Sequence, residues 1–160
     1  MKNLKIIEVD EQSSHFSALE RLFLQLYEHM DQSGLLIPLT KDGEKFWIKS
    51  IINLVDGRYG KIIGAIDGEK LVGFVHGVIR YTADYQGRLR VGYIPHIYVV
   101  KEYRSNGVGK KLIDNLEQWF VSKKVHSVEL QVLNSNDLAL KYWKESGFQS
   151  ELVQMRKCLL

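Results

Sequence analysis

The chain has 160 residues, 45% of them hydrophobic, and a formal charge of +3, which suits one sizeable core better than two, so a single domain over residues 1–160 is expected. Lysines and acids interleave along its length and the densest basic spots are the pairs Lys110/Lys111 and Lys123/Lys124, which argues against a nucleic-acid binder. One cysteine, Cys158, leaves no internal disulfide, residues 1–10 are too charged for a signal peptide, and no apolar run reaches membrane-spanning length; a soluble cytoplasmic protein without a membrane partner is the expectation.

Residues 4–9 (LKIIEV) read as a strand, and Ser13 or Ser14 as the cap of a helix carrying Phe16, Leu19, Leu22, Phe23, Leu26 and Tyr27 at helical spacing. After a break at Ser33, Gly34 and Pro38, residues 44–55 repeat that spacing through Phe46, Trp47, Ile51 and Leu54. Residues 61–66 and 71–79 flank Asp67 and Gly68, a hairpin signal. A Gly- and Arg-containing loop (82–90) leads to a strand over 91–100, then to the turn Arg104, Ser105, Asn106, Gly107, Val108, Gly109, Lys110, and then to an amphipathic helix over 107–123. Residues 127–133 form the next strand, a candidate for parallel pairing through a right-handed crossover. Asn136 or Asp137 caps a short helix ending near Ser146, Gly147 stops it, and residues 148–159 supply a last strand. The order β, α, α, β, β, β, α, β, α, β gives a mixed α/β sheet with helices on both faces.

The glycine turn is the strongest chemical signal. A helix start stripped of side-chain bulk offers free N–H groups and partial positive charge to a phosphate or pyrophosphate. A Walker loop needs glycine where Arg104 stands and Ser/Thr where Lys111 stands; a dinucleotide fingerprint needs a small residue at Leu112. Both fail.

Arg104, Gly107 and Gly109, with Val99 five residues upstream and Asn136, Ala139, Gly147 and Phe148 downstream, resemble the GNAT superfamily of N-acetyltransferases. The resemblance is carried by motifs over residues 94–148 and by element order before them. It implies a mostly antiparallel sheet with a splayed parallel strand pair at its centre. Acetyl-CoA is then the co-substrate, lying between strands 91–100 and 127–133. Its pantetheine arm pairs with main chain near Ile97, Tyr98, Val99 and Val100, its pyrophosphate sits on residues 104–110, and Asn136 and Trp143 border it. Arg104 serves by charge-assisted hydrogen bonds or by positioning alone. The family often dimerises, so a homodimer belongs to the expectation.

The implied reaction is acetyl transfer from the thioester to a primary amine of a small molecule, peptide or protein. The family's usual acid, a tyrosine four residues after the Ala, is replaced by Trp143; Tyr142 beside it is the candidate acid, against a role as a core or rim aromatic. His96, next to Pro95, is the candidate base, against a structural histidine. Glu129 falls on the solvent side of its strand by alternation, and His76 reads as structural. No residues have metal-ligand spacing, so no metal is expected. A non-catalytic acyl-CoA-binding regulatory module is the alternative.

Overall fold

The alternating runs pair into one five-stranded sheet, seen in a computed structural model that describes residues 3–160. In chain order the elements are β1 (Leu4–Glu8), α1 (Ala18–Gln32), α2 (Gly43–Ile51), β2 (Gly60–Asp67), β3 (Lys70–Tyr81), β4 (Arg90–Val99), α3 (Val108–Ser122), β5 (Ser127–Leu130) and α4 (Asp137–Glu145). Strands lie in the order β1-β2-β3-β4-β5, antiparallel throughout except for the parallel pair β4–β5. The β2–β3 hairpin closes at Asp67↔Lys70, with Gly68 at φ +62°, a backbone conformation that glycine adopts without a Cβ penalty.

Each face of the sheet carries its own core. On one side α1 and α2 bury Leu19, Leu22, Phe23, Leu26, Trp47 and Ile51 against Ile62, Leu71 and Phe74. On the other, α3 buries Val108, Leu112, Ile113, Leu116, Trp119 and Phe120 against Ile63, Val72, Val75, Ile79 and Ile94. Burying each large apolar side chain contributes about 1.5–3 kcal/mol, and α3 alone supplies six of them. Two glycines set how closely α3 approaches: a Cβ at Gly77 would lie 2.6 Å from Leu116 Cδ1, and one at Gly92 would lie 2.9 Å from Phe120 Cε1.

Several boundaries differ from expectation. The first helix begins at Ala18, not after Ser13 or Ser14, because the Ser13 hydroxyl is spent on the His15 N–H in a local turn. The second stops at Ile51. The larger correction is at the C-terminus. Residues 148–160 form no strand, although their composition is that of one, because a strand has no internal hydrogen bonds and this segment has no ladder partner. The parallel pair therefore sits at the edge of the sheet and not at its centre.

The close approach of α3 predicts that Gly77→Val, which puts a branched side chain into Leu116 and Phe120, destabilises the fold by about 1–3 kcal/mol or more. Urea unfolding should show a lower midpoint with an unchanged slope.

Candidate active site

β4 has two different sides. Toward β3 it pairs from Tyr81↔Arg90 to Gly73↔Val99, with one irregularity: His76 faces His96 while Val78 faces Tyr93. Ile94 and Pro95 therefore oppose the single residue Gly77, a β-bulge placed where proline's missing N–H does no harm to the ladder. Toward β5 the pairing runs only from Val91↔Ser127 to Ile94↔Leu130. Beyond the bulge the two strands part, and β5 ends at Leu130, short of the expected Leu133.

The parting leaves main chain open. The Val100 N–H donates to the Val72 carbonyl at 2.9 Å on the β3 side. By alternation Tyr98 gives its main-chain groups to β3 as well, while Ile97 and Val99 turn theirs toward the gap. A polar, amide-bearing arm can pair there as an added strand would.

The glycine turn lies at the end of this open edge. Ser105 (φ +60°) and Gly107 (φ +74°) are left-handed, with Asn106 between them not so, an alternation that gathers successive N–H groups into a concave nest. Gly107 is the N-cap of α3, with no side-chain cap bond and no acid in the first turn, so the free N–H groups of the first helical turn keep their pull on an anion. Nothing stands within 4 Å of where a Gly107 Cβ would be. The cradle has room for a bulky anion.

The side chains around the turn mostly build it. Arg104 Nε donates to the Val99 carbonyl at 2.8 Å, and its guanidinium stacks 5.2 Å from the Tyr98 ring. That bond explains the five-residue spacing of Val99 and Arg104: the arginine clamps the turn to the strand it leaves. Asn106 Nδ2 donates to the Arg104 carbonyl. Lys110 does not reach into the turn, because its ammonium is tied to Asp114 at 2.7 Å. Asn136 Oδ1 accepts from the Ala139 N–H at 3.1 Å, so the Asn-x-x-Ala spacing is a helix N-cap. Gly147 (φ +92°) ends α4, with the Phe148 N–H returning to the Trp143 carbonyl.

Trp143 and Tyr142, adjacent in sequence, separate as a helix requires. Trp143 is 7% exposed and packs edge-on to Phe148. The Tyr142 hydroxyl instead leans over the start of α3, 3.7 Å from where a Gly109 Cβ would be. Burial raises its pKa above the ordinary tyrosine value, so it stays protonated.

On the α1/α2 face, His96 and His76 stack in parallel with ring centres 5.8 Å apart. Trp47 (5.5 Å) and Phe23 (5.0 Å) meet His96 edge-on, and Tyr27 lies 6.4 Å away. Both ring nitrogens of His76, Nδ1 of His96 and Nε1 of Trp47 are buried with no hydrogen-bond partner. Burial pushes His76 down to about 4; burial, then the neighbouring His76, pushes His96 down to about 3. Sequence periodicity marked Tyr27 and Trp47 only as core, and nothing in it paired them with His96. Glu129 is exposed, as alternation requires. A separate hollow of about 350 Å³ lies beside Glu8, Lys61, Asn115 and Trp119, where Lys61 is paired with Glu8 at 2.8 Å. Among the described residues no three His, Cys, Asp or Glu side chains gather as a metal site would need.

The parallel strands thus part beside a bulge, above an anion cradle at a helix start, a cleft suited to a ligand with both amide and phosphate groups. The acetyltransferase (GNAT) family model matches residues 24–148, and the chain belongs to that family; it is an acetyl-CoA-dependent N-acetyltransferase by class. Its fold is similar to that of a mutant of the BH1408 protein from Bacillus halodurans (20% identity, 98% of this chain and 99% of that one, TM-score 0.79). It is also similar to aminoglycoside N-acetyltransferase AAC(6')-Iy in complex with CoA (19%, 99% and 96%, TM-score 0.76). A third similar structure is the aminoglycoside acetyltransferase meta-AAC0020 from an uncultured soil metagenomic sample (20%, 99% and 98%, TM-score 0.72).

The buried imidazoles give the fold a defined pH dependence. Free histidines titrate near 6.5, and the folded pair near 4 and 3, so the unfolded chain binds more protons between those limits. Stability is complete above 6.5 and falls as pH drops toward about 3. Urea midpoints should fall between about pH 7 and pH 5, and a His76→Phe/His96→Phe double variant should lose part of that drop. An equal drop in both proteins contradicts the assignment.

Proposed function

We propose that the cleft carries out direct transfer of an acetyl group from the CoA thioester to a primary amine of a small molecule, peptide or protein. The observation that supports this most is the continuity of the open β4 edge at Ile97 and Val99 with the unfilled turn at Gly107. On this reading the pantetheine amides pair with the first and the pyrophosphate sits on the second, with Arg104 holding the two in register. Asn136 and Trp143 act by fixing α4 beside the cofactor. The exposed free thiol of Cys158 goes with a reducing, cytoplasmic location.

The amine nitrogen attacks the thioester carbon, the C–S bond breaks and the thiolate departs. Freeing an ordinary ammonium (pKa about 10.4) of its proton at neutral pH costs roughly 4–5 kcal/mol, whereas reprotonating a thiolate of pKa about 8.5 involves only about 2. Tyr142 is protonated, but its hydroxyl stands beside the first turn of α3, at the pyrophosphate end of the cleft, so the departing thiolate takes its proton from water. His96 at about 3 is too weak a base to store the amine's proton. It stays neutral, with Nδ1 buried and unpartnered, and the amine's proton leaves through water.

A regulatory acyl-CoA-binding module is the second reading, favoured by the burial of Trp143 at the usual tyrosine position. Thiol release from acetyl-CoA with a panel of amines, aminoglycosides included because two similar structures are aminoglycoside acetyltransferases, separates the two. Acceptor-dependent turnover is expected; tight CoA binding with no turnover across the panel supports the module. Tyr142→Phe should leave kcat within about threefold, in line with a thiolate protonated by water, whereas a fall of about tenfold or more would mark Tyr142 as the general acid. Gly107→Asp, which brings negative charge and strain to a φ of +74°, should weaken acetyl-CoA at least about tenfold by calorimetry. Unchanged affinity refutes the placement of the pyrophosphate.

A further inference from the structure

One face of the parting strands is closed. Val128, Leu130 and Val132 pack against the α3 core, as does Phe148, so an acceptor that meets a thioester in the gap comes from the α1/α2 side. Only part of that side is covered. The α1/α2 core takes Leu71 and Phe74 of β3 and Tyr98 of β4 and, among the described residues, none of β5. Below the stacked His76 and His96, alternation decides what the sheet presents there. Gly77 and Gly92 face α3, so Arg80 of β3 and Tyr93 of β4 face the other way. Glu129 and Gln131 face that way too, opposite Val128 and Leu130.

These side chains make a charged platform. The Arg80 guanidinium lies over the Tyr93 ring, with Cζ 3.6 Å from its centre. The Tyr93 hydroxyl donates to Gln131 Oε1 at 3.3 Å, which fixes the ring that Arg80 rests on. A guanidinium stacked by its face keeps its N–H donors free at its edge, in the fork that matches a carboxylate. Glu129 stands in register with Tyr93 and is exposed. A cation from β3 and an anion from β5 thus flank one phenol of β4. Among the described residues neither Arg80 nor Glu129 is in an ion pair. Two free opposite charges beside one aromatic ring suit a zwitterion.

Distance from the chemistry says which part of a ligand they hold. The last β4–β5 pair is Ile94↔Leu130, and Ile97, where the freed main chain begins, lies four residues beyond Tyr93, about 13 Å along a strand. The platform is a small molecule's length from the thioester. It receives the far end of the acceptor, not the amine that reacts.

We propose that the acceptor is a free amino acid with a second amine at the end of its side chain. Arg80 takes its α-carboxylate, Glu129 takes its α-ammonium, and the side chain runs up β4 into the gap. This rests on the acetyl transfer proposed above and gives it a substrate class. The side-chain nitrogen attacks the thioester carbon, the C–S bond breaks, and CoA leaves as a thiolate. Water takes the amine's proton and supplies one to the thiolate. The product is acetylated on its side chain and keeps a free α-amine. A lysine inside a peptide has neither charge at its α-carbon and gains nothing from the platform.

Turnover of free lysine, compared with two analogues that each lack one charge, tests the assignment. Cadaverine has no α-carboxylate, and ε-aminocaproate has no α-ammonium. The kcat/KM for lysine should exceed that for each analogue by about fivefold or more, and NMR should place the acetyl group on the side-chain nitrogen. Arg80→Gln should erase the advantage over cadaverine and keep that over ε-aminocaproate; Glu129→Gln should do the reverse. Analogues that match lysine in the native enzyme, acetylation of the α-nitrogen, or variants that slow all three amines alike overturn the inference and leave the transfer reaction standing. If no amine at all is acetylated, the transfer reaction itself is overturned and this inference falls with it.

Discussion

The site depends on one strand being unable to satisfy two neighbours at once. β4 is bound along its whole length to antiparallel β3 and for only four residues to parallel β5. The bulge at Ile94 and Pro95 shifts its alternation and increases its twist, and past it the two strands cannot stay within hydrogen-bonding distance. Buried main-chain groups need partners, so the half-paired stretch at Ile97 and Val99 is a standing demand for a ligand with amides of its own. α3, pressed onto the sheet by Gly77 and Gly92, fixes where the cradle stands relative to that stretch. Arg104 then fastens the turn to Val99. On the proposed reading the donor site is main chain positioned by packing, so few of its side chains need a particular identity.

Much of this was legible in the chain because the cues are local. Helical spacing located α1, α2 and α3; Asp67 and Gly68 located the hairpin; Gly107 and Gly147 marked a helix start and a helix end. The spacings Val99 to Arg104 and Asn136 to Ala139 were legible as motifs, but their physics was not. One is a clamp from a guanidinium to a strand carbonyl and the other a helix cap, and both are hydrogen bonds that only folded geometry reveals. The final strand was misread for the opposite reason. Its residues have the right composition, but a strand exists only against a partner, and composition does not say whether one is within reach.

The histidine cluster was the least legible, because its geometry is tertiary. His76 and His96 lie twenty residues apart, and only the β3–β4 register sets them face to face. Trp47 and Phe23, from two different helices, then close over them. The result is an aromatic wall holding neutral imidazoles, with both ring nitrogens of His76 and Nδ1 of His96 buried without a partner. Such a wall is costly for a cation, which would lose hydration there without meeting an anion. The same burial that makes His96 a poor store for a proton keeps it neutral across the working pH range.

The central claim is that the unpaired edge of β4 and the first turn of α3 together receive acetyl-CoA. Residue-resolved amide hydrogen exchange, with and without acetyl-CoA, tests it most directly. The account predicts that the N–H groups of Ile97 and Val99, and those of Gly109 and Lys110, gain protection on binding, while Tyr98, already paired with β3, changes little. Binding that leaves those four amides exchanging as before would contradict it.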